Sequence, residues 1–141
     1  MAEKLNGLLA NFQIYYQNLR GLHWNIKGKN FFELHVKFEE FYTDSQVKID
    51  EIAERVLTLQ GKPLHTFEDY ISLSTVPVGK DISNDVESVK LVVSSLSELL
   101  KIERIILEIS DGRNDEGTNS MMSNFIAEQE KTIWMLSSWL G

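Results

Sequence analysis

Leu5, Leu8, Leu9, Phe12, Tyr15, Tyr16, Leu19, Leu22 and His23 recur at three- and four-residue intervals, and three later stretches of the chain carry the same period. A stripe of this kind commits one face of an α-helix to a core, and here it predicts a first helix over residues 3–27. The pattern breaks at Lys27-Gly28-Lys29-Asn30, where Gly28 suits a left-handed position after a helix and Asn30 suits an N-cap. Leu34, Phe38, Phe41, Ile49, Ile52, Val56 and Leu59 then define a second helix over 31–60. A connection this short makes the two helices an antiparallel hairpin. Reflected about the turn, His23 falls beside His35.

Residues 61–81 hold both prolines, Pro63 and Pro77, and show no sustained period. They are expected to form a crossover, with Thr66-Phe67-Glu68-Asp69 capping a short helix near 66–73. Fully extended, such a segment reaches about 70 Å, enough to run the length of a bundle of about 40 Å. The second and third helices can therefore run parallel. The third helix, 82–110, carries Val86, Val89, Val93, Leu96, Leu100 and Leu107, with Val92, Leu99 and Ile106 widening the face. A polar loop from Asp111 to Gly117 precedes a fourth helix, 118–139, expected to be capped by Thr118 or Asn119 and to bury Met122, Phe125, Ile126, Ile133, Leu136 and Leu140. The expected fold is all-α: a single domain over 1–141, a ferritin-like four-helix bundle with a long crossover between helices two and three that contains a short helix.

Composition narrows the function classes. The chain has no cysteine, which excludes disulfides and thiolate metal sites and accords with a cytoplasmic location. Twenty-one acidic against fourteen basic residues give a formal net charge of −7, which favours cations and opposes nucleic acid. No apolar run approaches the roughly eighteen residues a membrane span needs, and no leader-like segment opens the sequence, so a membrane partner is not expected.

His23, His35, Asp50 and Glu54 are ordinary metal ligands, yet they cannot meet within one chain. On one continuous helix, fifteen steps of about 1.5 Å put His35 roughly 22 Å from Asp50. Asp50 and Glu54 are i, i+4 and share one side of the helix, within reach of one ion. They belong to a polar row of His35, Glu39, Tyr42, Gln46, Asp50 and Glu54 flanking the apolar stripe. A two-fold axis near residues 42–44 would set position 35 of one chain against about position 51 of the other, and isologous dimers pair surfaces in this way. The sequence therefore points to a metal site built between subunits. Taken singly, each histidine suits a packed core and each acid a solvated helix edge; the conjunction carries the reading. His65, after Pro63, fits no such scheme.

Leu22-His23-Trp24-Asn25-Ile26-Lys27-Gly28, Asn30-Phe31-Phe32-Glu33-Leu34-His35 and Ile49-Asp50-Glu51-Ile52-Ala53-Glu54-Arg55 together resemble the Dps family of mini-ferritins, the DNA-binding proteins from starved cells. The similarity continues through Gly61-Lys62-Pro63 and Ile133-Trp134-Met135-Leu136, nearly the whole chain. The resemblance implies a ferroxidase centre in which His23 and His35 meet Asp50 and Glu54 of a two-fold partner, with Glu39 as an additional acidic ligand and Trp24 close by. It implies a hollow homo-dodecamer that oxidises Fe(II), preferentially with hydrogen peroxide, stores ferric mineral and protects against oxidative stress. It also places Asp111, Asp115 and Glu116 at three-fold pores. DNA binding is the family trait least expected here, because the sequence has net charge −7 and shows no lysine-rich tail.

Two other readings share these residues. A non-catalytic structural or nucleoid-binding assembly could hold zinc at the dimer interface, since tetrahedral zinc accepts histidine and carboxylate. A helical interaction module would hold no metal at all.

Overall fold

The computed structural model describes all 141 residues. Four long helices, α1 (Ala2–Asn25), α2 (Phe31–Thr58), α4 (Asp85–Gly112) and α5 (Glu116–Leu140), form the bundle, with the short α3 (Phe67–Leu73) in the crossover. The apolar stripes meet along its axis: Leu5, Leu8, Phe12 and Leu19 from α1, Phe38, Ile52 and Val56 from α2, Val89, Leu99 and Ile106 from α4, and Met122 from α5 are almost completely buried. No helix is long and apolar enough to cross a membrane.

The hairpin turn takes its shape from Gly28, whose φ of +109° lies where an L side chain is strained. Asn30 occupies the N-cap position of α2, but its side chain makes no cap bond; its amide donates instead to Asp85 Oδ2 at 2.7 Å. The Lys27 N–H donates to the Ser83 carbonyl at 3.0 Å. These two bonds hold the start of α4 at the hairpin turn, where α2 also starts, so α2 and α4 run parallel.

Three asparagines on α1 hold the crossover against the bundle. Asn6 accepts from the Leu64 N–H (3.0 Å) and donates to the Lys62 carbonyl (3.0 Å). Asn11, buried, accepts from the N–H groups of Thr75 (2.8 Å) and Val76 (3.0 Å). Asn18, also buried, donates to Pro77 O (2.7 Å) and accepts from Gly79 N–H (2.9 Å). The partners advance along the crossover in the same order as the asparagines advance along α1, so the irregular segment tracks that helix. Backbone groups lacking a regular partner are satisfied by side chains, as buried backbone must be.

The structure departs from expectation at two helix starts. Asp115, rather than Thr118 or Asn119, caps α5, accepting from the Thr118 N–H at 3.2 Å, so the helix begins earlier at Glu116. Val86, placed on the core stripe by periodicity, lies exposed in the first turn of α4. Thr66 does cap α3, accepting from the Asp69 N–H at 3.2 Å and donating to Asp69 Oδ2 at 2.9 Å.

Candidate metal centre

His23 ends α1 and His35 opens α2, and the hairpin turn stacks their rings face to face with centroids 3.7 Å apart and planes 11° from parallel. Each ring is fixed by the other residue's backbone. His23 Nδ1 bonds the His35 carbonyl at 2.6 Å, and His35 Nδ1 bonds the His23 carbonyl at 2.7 Å. A carbonyl oxygen can only accept, so both Nδ1 atoms carry hydrogen and Nε2 is the nitrogen left to each ring for a ligand. A backbone partner on one ring nitrogen is the usual device for orienting a metal-binding imidazole. The pair is walled by aromatics, with Phe31 stacked on His35 at 4.9 Å and Tyr42 edge-on to His23 at 5.4 Å.

Glu39 stands one turn beyond His35 on α2, exposed, and accepts from the Tyr42 hydroxyl at 3.2 Å. Desolvation, followed by the bond to Glu39 and its charge, pushes the Tyr42 phenol up, so it stays a donor. Trp24 is 57% exposed, and the Arg20 guanidinium lies 4.9 Å from its ring. His65 is on the surface, bonded to the Pro63 carbonyl at 3.1 Å.

Asp50 and Glu54 lie exposed in an open groove on the outer face of α2 with Gln46, Ile49 and Glu51. Because α2 is unbroken from Phe31 to Thr58, His35 and Asp50 stand roughly 22 Å apart. The structure brings the two histidines together and the two acids together, and keeps the pairs apart. No three His, Asp or Glu side chains of a single chain are grouped closely enough to hold an ion.

The bundle interior offers no alternative. Dimetal sites inside ferritin-like bundles use inward glutamates and Glu-x-x-His pairs, and this sequence contains no Glu-x-x-His. The interior holds a lysine instead: Lys48 is buried, with its ammonium 2.6 Å from Asp44, 2.7 Å from Glu128 and 5.2 Å from the Phe125 ring. Burial works against that charge, but the bonds to Asp44 and Glu128 outweigh it and the Lys48 pKa is raised. Position 48 falls on the apolar stripe of α2, seven residues after Phe41 and four before Ile52, so the period points it inward and only the charge of the lysine argues against burial.

The whole chain from residue 2 to 141 matches the ferritin-like domain model. A crystal structure from Vibrio cholerae, described as a Dps protein and a member of a broad superfamily of ferritin-like diiron-carboxylate proteins, superposes with a TM-score of 0.98 at 51% identity, covering 99% of this chain and 88% of that one. The chain belongs to the Dps family. A Porphyromonas gingivalis relative called DNA protection during starvation protein is 43% identical over 135 residues, 96% of this chain and 85% of its own length. The Dps crystal structure from Bacillus brevis gives a TM-score of 0.96 at 35% identity, covering 99% and 94% of the two chains.

One of the acids that the Dps resemblance sets at a three-fold pore is already engaged within the chain. Asp115 is not a free acid: besides capping α5 it binds Arg55 Nη2 at 2.6 Å, and Arg55 Nε donates to Thr118 Oγ1 at 2.9 Å. Burial raises the Asp115 carboxyl, but the Thr118 bonds and the Arg55 guanidinium prevail and lower it. The clamp joins the last turn of α2, directly after Glu54, to the start of α5. Asp111 and Glu116 remain exposed.

Proposed function

We propose that this chain is a ferroxidase and iron-storage protein whose reaction centre forms between subunits. His23 and His35 of one subunit, with Glu39 at the margin, face Asp50 and Glu54 of a two-fold partner. The observation that carries the reading is the interlocked histidine pair, two Nε2 donors held ready by their own backbone with no acid of the same chain close enough to complete the site. Large apolar side chains left exposed on one chain, among them Phe32 (82%), Phe67 (79%) and Ile71 (69%), support assembly into a larger particle, for which we favour a dodecamer. The Vibrio relative's description as diiron-carboxylate and the Porphyromonas relative's name support iron chemistry and a protective role.

The donor set suits iron as substrate. Imidazole nitrogen accepts Fe(II), and carboxylate oxygen, a harder donor, keeps hold of the ion after oxidation. With hydrogen peroxide as oxidant, two ferrous ions give one electron each, the O–O bond breaks, and two hydroxide equivalents form without a free radical. Asp50 and Glu54 supply the negative charge that offsets the cations, and the ferric product passes to a store inside the particle. Zinc on the same ligands would bind without turnover.

The test is the double variant Asp50→Ala, Glu54→Ala, mixed with Fe(II) and peroxide and followed by ferric absorbance. Rapid oxidation should vanish while helicity by circular dichroism persists. Unchanged kinetics in a helical variant would refute the assignment, and failure of the wild type to oxidise iron would favour the zinc-bound assembly.

A further inference from the structure

α4 carries one carboxyl into the middle of the bundle. Glu103 is completely buried, and Gln129 of α5, 5% exposed, donates from Nε2 to Glu103 Oε2 at 2.9 Å. The remaining oxygens of this pair, Glu103 Oε1 and Gln129 Oε1, are both buried with no hydrogen-bond partner. Both are acceptors when the acid is ionised, and two buried acceptors without a donor are costly. No cation relieves them. Lys48 of α2 is committed to Asp44 and Glu128, and Arg104, next along α4, reaches outward to Glu130 at 2.9 Å. From α1 the buried Tyr15 phenol faces the same region.

We infer that each subunit holds one extra proton on Glu103 Oε1, which donates to Gln129 Oε1 and closes a cyclic acid–amide pair between α4 and α5. A single hydrogen then satisfies both orphaned oxygens. The electrostatics run the same way: burial pushes Glu103 up to about 8, against the opposing pull of the Gln129 bond, Lys48 and Arg104. Tyr15 is raised as well, by burial and then by Asp44, so it stays neutral beside the pair.

The bundle interior is in this way an acid-stabilised proton site. The folded value lies above the ordinary 4.5, so the contribution is full below that value and is lost as pH rises through about 8. Acidification, such as ferric hydrolysis produces, would leave the pair intact. The site does not depend on the metal reading.

Infrared spectroscopy of the assembled protein tests it. At about pH 6.5 the wild type should show the C=O stretch of a protonated carboxyl, which shifts with ¹³C-labelled glutamate and disappears on titration through about 8. Glu103→Gln, which can keep the ring as an amide–amide pair, should lack the band. Its denaturation midpoint should also fall less than that of the wild type between about pH 6 and 9. Absence of a glutamic acid band in the wild type overturns the inference whether or not the variant folds, as does a band that survives in Glu103→Gln.

Discussion

Gly117→Ala should destabilise this protein, although a glycine-to-alanine change in a helix ordinarily stabilises by up to about 1 kcal/mol. Gly117 lies in the first turn of α5, and a Cβ there would come 2.6 Å from Arg55 Nη2 and 2.7 Å from Nη1. The guanidinium lies flat against the helix because the glycine leaves room for it. Arginine is flexible, so the cost is not a rigid clash; it is the loss of the bonds that hold Arg55 to Asp115 and Thr118. Both charged side chains are mostly buried, at 23% and 17% exposure, so solvent screens the pair little. One charge-assisted bond contributes about 1.5–3 kcal/mol, and subtracting a helix gain of about 1 kcal/mol leaves a net loss of about 0.5–2 kcal/mol. For a chain of this size that lowers the melting midpoint by about 1–6 °C. Gly7→Ala in α1 is the control, because nothing within the chain lies within 4 Å of its added Cβ. Thermal melts followed by circular dichroism should show Gly117→Ala below and Gly7→Ala at or above the wild type. Since Arg55 follows Glu54 directly, iron oxidation by Gly117→Ala should also slow. A Gly117→Ala melt equal to or above that of the wild type would show that the clamp contributes nothing.

Asn11→Leu removes the acceptor of the Thr75 N–H and leaves the buried Val76 N–H with Ser74 Oγ alone at 3.2 Å, so it should cost about 1–3 kcal/mol, with faster amide exchange at Thr75 and Val76 read by mass spectrometry. Asp115 has a carboxyl lowered below its ordinary 3.8, so its contribution is present above that value and lost as pH falls through the folded one; Asp115→Asn should flatten the acid limb of the stability profile below about pH 4. Lys48→Met removes a buried charge and leaves Asp44 and Glu128 exposed to solvent, so it should cost no more than about 1–2 kcal/mol by chemical denaturation.

Helices written in a strong three-four period were legible in the sequence, and so was the hairpin, because a short turn forces its flanking residues together; the stacking of His23 on His35 follows directly from that geometry. The separation of the histidines from Asp50 and Glu54 was equally plain, as helical rise alone sets it. What stayed hidden depends on neighbours distant in sequence. Asn6, Asn11 and Asn18 look like polar residues on a helix edge until the crossover arrives to use them. Lys48 and Glu103 fall on the apolar stripes of their helices but carry charge, and only packing against Glu128, Phe125 and Gln129 shows how each is accommodated inside. The cap of α5 was misplaced because Asp115 could be read as a loop acid, whereas Arg55, sixty residues earlier, fixes it at the helix start. Val86 obeys the period but sits in the first turn of α4 with its side chain exposed.

Subunit mixing tests the shared centre most directly. One variant carries His23→Ala and His35→Ala, the other Asp50→Ala and Glu54→Ala, and each alone should fail to oxidise Fe(II) rapidly. Dissociated, mixed and reassembled, a two-fold pair of unlike subunits unites the intact histidines of one with the intact acids of the other, regenerating one site per mixed pair. Rapid iron oxidation should return in the mixture, to about a quarter of the wild-type rate if pairing is random. A mixture of the two variants that reassembles fully and stays inactive would mean that histidines and acids do not meet across subunits.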